Sequence, residues 1–393
     1  SHTLDFFRGL FQYQGISSQI PPLILNPQPG ETVLDMAASP GSKATQLAAL
    51  MQNRGILYLN DVSLRRLTIL NNNVQKSGAV NQLVTYLPGE RFGNLLPEYF
   101  DKILLDAPCT SLGTLPDNPE IARWWSIAKL QKLNDLQKRL FVSAFKALKV
   151  GGEMVYSTCS IAPEENELLI DDMLQNYPLE ILPAGLPGLD AFSAGLTKYI
   201  DRSLHPDLQR AMRIMPHLHE MEGFFVIRLR KTAPHRRVEE IPEERFAATL
   251  LYDDPAVYSA LQQISAEWGI PMDFWQSYRF MRSKSRLWIL NTDIKHVSTE
   301  NYTSGGLLLA EEKRYGWKLF NQSVQLLGSR ITQKRLALNT EILTRLFAEG
   351  SAQVGTIADG YHVLEWKDVP FASAYVHGGE MKLRLSHRFR LVL

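Results

Sequence analysis

At 393 residues the chain is too long for one ordinary hydrophobic core, which points to two or three domains. Hydrophobic residues make up 45% and charged residues 21%, and no apolar run approaches the ~20 residues of a membrane span, so the composition is that of a soluble globular protein and argues against a membrane partner. The net charge of +1 says little by itself and conceals a gradient: residues 1–232 carry 22 Lys+Arg against 23 Asp+Glu, residues 233–278 carry 3 against 8, and residues 279–393 carry 17 against 10.

That last imbalance suits either a module facing phosphates or an ordinary solvated surface. Two cysteines provide no disulfide framework and no metal-ligand spacing, which fits a reducing cytosol and predicts no metal. The first residues lack the basic start and apolar middle of a secretory signal, so a cytoplasmic location is expected.

From residue 30 short β-rich runs alternate with helical stretches, the pattern of βαβ units around a parallel sheet. The predicted strands are 32–36 (TVLDM), 56–60 (ILYLN), 82–86 (QLVTY), 102–106 (KILLD) and 153–157 (EMVYS). Between the last two, Leu130, Leu133, Leu136, Leu140, Ala144, Phe145 and Leu148 recur near helical spacing, which predicts a crossover helix over 129–149, stopped by Gly151 and Gly152. A second helix is predicted over 164–175 behind Pro163, and 223–230 (GFFVIRLR) reads as a closing strand. The charged, proline-containing stretch 233–245 marks a domain boundary. Beyond it, runs at 286–290, 306–312, 361–366 and 382–385, with a helix near 338–348, predict a small β-rich module.

The first predicted strand runs into Asp35-Met36-Ala37-Ala38-Ser39-Pro40-Gly41-Ser42-Lys43 and then a helical stretch. Small residues at such a turn let backbone approach a ligand, and a helix start offers unpaired N–H groups. The spacing is neither a dinucleotide fingerprint nor a phosphate loop. Asp61, at the end of the second strand, stands where an acid accepts hydrogen bonds from a ribose diol in doubly wound folds. Together these suggest a nucleoside cofactor; a tight turn with a capping acid is the plainer alternative. Both cysteines follow strands, in Asp106-Ala107-Pro108-Cys109 and in Ser157-Thr158-Cys159-Ser160. Ligands of open α/β sheets sit outside the carboxyl ends of the strands, so Asp106, Cys109 and Cys159 are expected to gather at the cofactor rim. The competing readings are a small buried hydrophobe at each position, or a disulfide, which the compartment disfavours.

These blocks carry a resemblance. GLFQYQGISSQIPPLIL, VLDMAASPGSK, NDVSLRRL, ILLDAPCTSLG, YSTCSIAPEENE and RIMPHLHEMEGFFVIRLRK, in that order between about residues 9 and 232, resemble the Sun/nucleolar-protein family of RNA 5-methylcytosine methyltransferases, most closely its bacterial 16S ribosomal RNA branch. The resemblance implies a Rossmann-like class I methyltransferase fold with a seven-stranded mixed sheet whose final strand is antiparallel. It implies that Ala37, Ala38, Ser39, Pro40, Gly41, Ser42, Lys43 and Asp61 contact S-adenosylmethionine, that Asp106 is shared by cofactor and target base, that Cys159 is the nucleophile and that Cys109 helps release product. Two positions depart from the family pattern. Leu87-Pro88-Gly89-Glu90 stands where an Asp usually meets the adenine, and since Pro88 has neither side-chain acceptor nor N–H, adenine recognition is expected to be weaker, to come from backbone, or to be supplied by Glu90. Cys109-Thr110-Ser111 replaces the commoner Cys-Ser-Gly.

The chemistry explains the thiols. Carbon 5 of cytosine is a poor nucleophile until a thiolate adds to C6, and cysteine suits that role once its pKa is lowered. Lys43 and the adjoining helix start are candidates for the lowering, and Asp106 for proton handling at the base's N3 and N4 edge. At the other end, Lys382, Arg384, Arg388 and Arg390 alternate with apolar residues and are the expected RNA-binding side chains. Residues 306–393 resemble the pseudouridine-synthase-and-archaeosine-type (PUA-like) accessory module of the bacterial 16S enzymes. The expected organisation is a catalytic domain at 1–232, a linker and intermediate region at 233–300, and a PUA-like β-rich RNA-binding domain at 301–393. The expected partner of this monomer is RNA, ribosomal (16S, in the small ribosomal subunit) first and transfer RNA second. His217 and His219 lack a third ligand and read as loop structure.

Overall fold

The computed structural model describes residues 3–186, 192–234, 254–295, 302–385 and 391. Its centre is a sheet whose parallel strands are β1 (Thr32–Asp35), β2 (Ile56–Asn60), β3 (Gln82–Thr85), β4 (Phe100–Asp106) and β5 (Leu148–Thr158), in the order β3-β2-β1-β4-β5. Successive side chains of a strand point to opposite faces. Leu34, Tyr58, Leu83, Ile103, Leu105, Met154 and Tyr156 therefore pack on one face with Leu140, Phe141, Ala144 and Ala147 of the helix Ile127–Ala147. Val33, Leu57, Leu59, Val84, Leu104 and Val155 pack on the other, against the helices Ile16–Leu25, Ser42–Leu50 and Leu64–Lys76. Strands covered on both faces need the near-continuous apolar runs seen in the sequence.

β6 (Leu179–Leu182), β7 (Ser193–Ala194), the small hairpin of β8 (Lys198–Tyr199) and β9 (Arg202–Ser203), β10 (Met212–Ile214) and β11 (Phe224–Lys231) complete this half. β11 lies antiparallel to β5, and its free edge is shared: 224–226 pair with β10 and 228–231 with β6, both antiparallel. The expected seven-stranded mixed sheet is thus present as β3-β2-β1-β4-β5-β11-β6, but it is embedded in a sheet of ten. β7 and β10 extend one side, and β14 (Tyr302–Gly305) pairs antiparallel with β3 on the other.

The predicted bounds of the crossover helix are corrected. The crossover helix begins at Ile127, capped by the Ser126 side chain, and ends at Ala147 rather than at the glycines. Leu148, fully buried, is already extended and pairs with Phe100, and the strand passes through Gly151 and Gly152 with a register shift. Pairing to the neighbouring strand outweighs helix propensity there.

The expected division at residue 300 runs through a single sheet. β12 (Tyr278–Ser283), β13 (Arg286–Asn291), β15 (Leu307–Lys313) and β16 (Gly316–Leu319) form one four-stranded sheet, packed with the helices Pro255–Trp268 and Asn321–Leu327 around Trp268 and Trp275. A five-stranded sheet follows, of β17 (Arg335–Ala337), β18 (Ser351–Gln353), β19 (Gly360–Trp366), β20 (Val369–His377) and β21 (Glu380–Lys382), in the order β17-β19-β20-β21-β18, beside the helix Thr340–Glu349. The strand predicted over 382–385 stops at Lys382. Phe7, in the short helix Leu4–Arg8, meets Phe347 of the helix Thr340–Glu349 edge-on at 4.9 Å and Phe371 of β20 at 6.5 Å, so the first residues pack on the last module. The boundary at 233–245 lies mostly outside the described residues, as do Arg388 and Arg390. Among the described residues no helix is long and apolar enough to cross a membrane.

Candidate active site

The carboxyl ends of β1, β2, β4 and β5 lie side by side because these strands are parallel neighbours in register. Together they deliver five ionisable groups to the same rim: Asp35 from β1, Asp61 just after β2, Asp106 from β4 and Cys109 from the loop after it, and Cys159 from the loop after β5. The loop after β1 continues the sheet's hydrogen bonding, with the Met36 N–H donating to the Leu104 carbonyl at 3.0 Å and the Ala38 N–H to that of Asn60 at 2.8 Å. It then turns at Gly41, whose φ of 113° lies where side chains are strained, into the helix that carries Ser42 and Lys43.

Lys43 donates to Asp106 Oδ2 at 2.7 Å and to Ser18 Oγ at 2.8 Å. Burial opposes its charge, but Asp106 and then Asp35 outweigh burial and hold its pKa above the ordinary lysine value. Ser157 donates to the other oxygen of Asp106 at 2.8 Å. Asp61 is buried, accepts the Ser63 N–H at 2.9 Å, and lies 3.4 Å from Arg66, which also donates to the Ser39 carbonyl.

Asp35 differs from the other carboxylates. It is 1% exposed and neither of its oxygens has a hydrogen-bond partner of good geometry. Burial, reinforced by Asp106, raises its pKa from 3.8 to about 7, with Lys43 and the Ala37 amide opposing. A buried carboxylate without donors is costly, and it is matched to a ligand that brings N–H or O–H groups. Ser39 Oγ is likewise buried without a partner. The donor-hungry Asp35, the small-residue loop and buried Asp61 together fit the ammonium and hydroxyl groups of an amino-acid-bearing nucleoside such as S-adenosylmethionine.

The cysteine sulfurs are 3.4 Å apart, and both residues are half-buried. Their surroundings differ. A hydrogen bond from Cys109 lowers the Cys159 pKa; burial opposes this, and the Ser111 hydroxyl, 3.4 Å from the sulfur, and the charge of Lys43 add to the lowering. Cys109 is pushed well up, by its hydrogen bond to Cys159, by burial and by the nearby Glu165. The arrangement favours a thiolate on Cys159 and a thiol on Cys109.

A buried polar web fixes the two loops. Glu165 accepts from the Thr110 N–H at 2.9 Å, from the Thr110 hydroxyl, and from Gln137, which also donates to the Pro108 carbonyl at 2.9 Å. Asn166 accepts from the Thr158 hydroxyl at 2.7 Å and donates to the Ser160 carbonyl at 3.0 Å. Gly113 donates to the Cys159 carbonyl at 2.9 Å, and a Cβ there would lie 2.2 Å from the Gly223 carbonyl oxygen, so only glycine permits the approach.

The structure therefore brings together Lys43, Asp106, Cys109, Cys159 and the 37–42 loop, with Asp61 along the same rim. Lys382 ends β21 in the C-terminal sheet and Arg384 lies two residues beyond it, away from this rim. Glu90, an expected substitute near the adenine, pairs with Arg139 at 3.6 Å. His219 Nδ1 accepts the Met215 N–H at 2.8 Å. Sequence reasoning passed over Asp35, Ser111, Glu165 and Asn166 as site residues. Asp35 was detectable as an acid ending an apolar strand; the partnerships of Ser111 and Glu165 span about fifty residues and leave no local signal, whereas Asn166 bonds Thr158 and Ser160 close by in sequence.

Comparison with known proteins gives consistent likenesses. Residues 22–230 match the family model described as 16S rRNA methyltransferase RsmB/F. Ribosomal RNA small subunit methyltransferase F of Cronobacter sakazakii is 31% identical over 97% of this chain and 78% of its own length. The 26S rRNA (cytosine-C(5))-methyltransferase nsun-1 of Caenorhabditis elegans is 37% identical over 58% of this chain, which spans only 35% of that protein. Among solved structures, NSun6 from Pyrococcus horikoshii, determined with SFG, superposes with a TM-score of 0.51 at 30% identity, over 58% of this chain and 55% of that one.

Proposed function

The chain belongs to the 16S rRNA methyltransferase RsmB/F family, and on that premise we propose that it transfers a methyl group from S-adenosylmethionine to carbon 5 of a cytosine in 16S ribosomal RNA. The observation that carries the reading is the pair of unlike thiols 3.4 Å apart beside the Lys43–Asp106 ion pair. A methyltransferase acting on an amine or hydroxyl needs no thiol; carbon 5 of a pyrimidine does.

Asp35, Asp61 and the loop from Ala37 to Lys43 would hold the cofactor, a use supported by the relative determined with SFG, an analogue of S-adenosylmethionine. When bound, S-adenosylmethionine supplies an electrophilic methyl group. The protein's own groups prepare the base. Cys159, as thiolate, adds to C6 and pushes electron density towards C5 and N3. Asp106, held between Lys43 and Ser157, faces the N3 and N4 edge, where the Lys43–Asp106 pair can deliver a proton to N3 and take it back. Release is an elimination in which water takes the C5 proton, the C5–H electron pair re-forms the C5=C6 double bond, and the C6–S pair leaves on Cys159 as thiolate. The Cys109 thiol donates a hydrogen bond to that departing sulfur, which makes it a better leaving group. A base inside a helix must be turned out of its stack at a cost of a few kcal/mol, so loops and helix ends are favoured targets. The same reading makes the protein a cytoplasmic monomer, consistent with two free thiols in a reducing compartment.

The test is denaturing electrophoresis of each variant after incubation with ribosomal RNA and cofactor. Cys159→Ala should give neither methylation nor adduct, and Cys109→Ser should accumulate a covalent protein–RNA species. Absence of that adduct while the wild-type chain methylates would overturn the two-thiol assignment. Bisulfite sequencing of ribosomal and transfer RNA from cells with and without the protein identifies the substrate, and a site found only in transfer RNA would overturn the ribosomal assignment.

A further inference from the structure

One cavity outside the catalytic rim has the chemistry of a site. It lies between β16 and one face of the five-stranded sheet, has a volume of about 470 Å³, and is lined by Lys318, Lys382 and Arg384 together with Tyr361, Tyr375 and Ser373. The strand register explains why these residues meet. Tyr361 is opposite Tyr375, Tyr375 is opposite Lys382, and Lys382 is opposite Ser351. Cross-strand partners share a face, so two aromatic rings, an ammonium and a hydroxyl form one row across four strands. Ser373, two residues before Tyr375, points to the same side.

The row is extended and charged. Tyr375 lies 5.1 Å from Tyr361 and 6.1 Å from Tyr315, centroid to centroid, and Tyr315 is 58% exposed with the guanidinium of Arg314 over its ring at 5.3 Å. Among the described residues Lys318 and Arg384 have no ion-pair partner. Burial, and then the like charge of Arg384, hold Lys318 below the ordinary lysine value. Glu349 at the rim pairs with Arg345 at 3.1 Å; Glu311, opposite Lys318 across β15 and β16, partly offsets its charge but is bridged to Lys313 and Arg286. Glu380 pairs with Lys382 at 3.0 Å in the open. Ser373 Oγ, on a residue only 4% exposed, lines the cavity without a hydrogen-bond partner. Converging cations short of counter-charge, a buried hydroxyl without a partner and a row of rings ask for an anion joined to a flat group.

We propose that this cavity is a subsite for an unpaired nucleotide of an RNA strand, with Lys318, Lys382 and Arg384 on its phosphate and the Tyr361–Tyr375–Tyr315 row stacking its base. The inference rests on the reading that the substrate is RNA. Single strands are bound in this way, by cations that track the backbone and rings that accept any base. A duplex keeps its base faces covered and would gain only the charge contribution. The subsite lies in the chain's most basic segment and is separate from the thiols, so it acts on affinity and leaves the chemical step alone.

The experiment measures binding of the full chain to a fluorescent single-stranded RNA oligonucleotide and to the matching duplex by anisotropy, over a salt series. In parallel, 4-thiouridine crosslinks are mapped by mass spectrometry. Lys318→Ala should weaken single-strand binding several-fold and reduce the slope of log Kd against log salt by about one. Tyr375→Ala should raise Kd for the single strand about tenfold and for the duplex little, with kcat at saturating RNA unchanged. Tyr375→Phe should bind as the wild type does, and crosslinks should fall in the peptides carrying Tyr315 or Tyr375. If Tyr375→Ala fails to fold, Lys318→Ala and the crosslinks decide. Unchanged Kd in a methylating wild-type background, equal losses on single strand and duplex, crosslinks elsewhere, or tighter binding of a phosphorylated peptide than of RNA would each overturn the subsite. A wild-type chain that crosslinks at these tyrosines yet forms no 5-methylcytosine would sink the catalytic reading and leave the subsite standing.

Discussion

Replacing Asp35 by Asn should make the cofactor-free protein more stable in alkali while crippling it as an enzyme. Burial, reinforced by Asp106 and only partly opposed by Lys43 and the Ala37 amide, pushes the folded carboxyl up from 3.8 to about 7. A raised acid pKa means that the folded state holds its proton more tightly, so stability is unaffected below the unfolded pKa and declines as pH rises from about 4 to about 7. At about 1.4 kcal/mol per unit, the penalty is roughly 2 kcal/mol at pH 5 and roughly 4 kcal/mol at pH 8. Asn keeps the shape and cannot ionise, but it buries an amide that also lacks partners, a cost of about 1–3 kcal/mol that does not vary with pH. The informative quantity is therefore the pH dependence. Urea unfolding of Asp35→Asn and wild type at both pH values should give a stability difference that favours the variant by about 2–3 kcal/mol more at pH 8 than at pH 5. Calorimetry should show S-adenosylmethionine binding to the wild type more strongly as pH rises through 7, and weakly to the variant. A difference independent of pH would show that Asp35 is already satisfied or already neutral, and would refute the reasoning.

Ser111 sits at φ 57°, a left-handed conformation that costs a side chain roughly 1–2 kcal/mol. Ser111→Gly should raise Tm slightly while lowering activity at neutral pH, with the acidic limb of the pH–rate profile moved upwards because Cys159 loses a hydroxyl that lowers its pKa. Gly113→Ala would thrust a methyl group against the Gly223 and Cys159 carbonyls and should cost about 2–3 kcal/mol in denaturant midpoint, together with most of the activity. Arg213 donates to both oxygens of the buried Glu167 at 2.6 Å and to the Ile161 carbonyl. Arg213→Met leaves that charge uncompensated and should destabilise by about 3–5 kcal/mol; a loss under 1 kcal/mol on thermal denaturation would contradict the assigned burial.

The parallel core was legible because each of its strands is an apolar run ending in a polar residue at the rim, and from that the gathering of Asp106, Cys109 and Cys159 at the rim could be expected, while their chemical roles followed from the family resemblance. Leu148 shows what local reading misses: its spacing continues a helix, yet the edge of Phe100 claims it for a strand. Glu165 and Asn166 fall in the first turn of the helix predicted over 164–175, and only the fold reveals them as the posts that hold both thiol loops. The C-terminal half was harder to read because its order comes from antiparallel pairing across long separations. Lys318 and Tyr361 acquire a shared meaning only when β16 meets the face of β19.

The strand Tyr302–Gly305 that borders Gln82–Thr85 ties the fate of the two halves together. A chain cut at residue 232 would leave the backbone N–H and C=O groups of Gln82–Thr85 exposed along an apolar edge, an invitation to self-association. The accessory half thus guards the enzyme's flank, and the two should melt in one cooperative transition instead of parting like beads on a string.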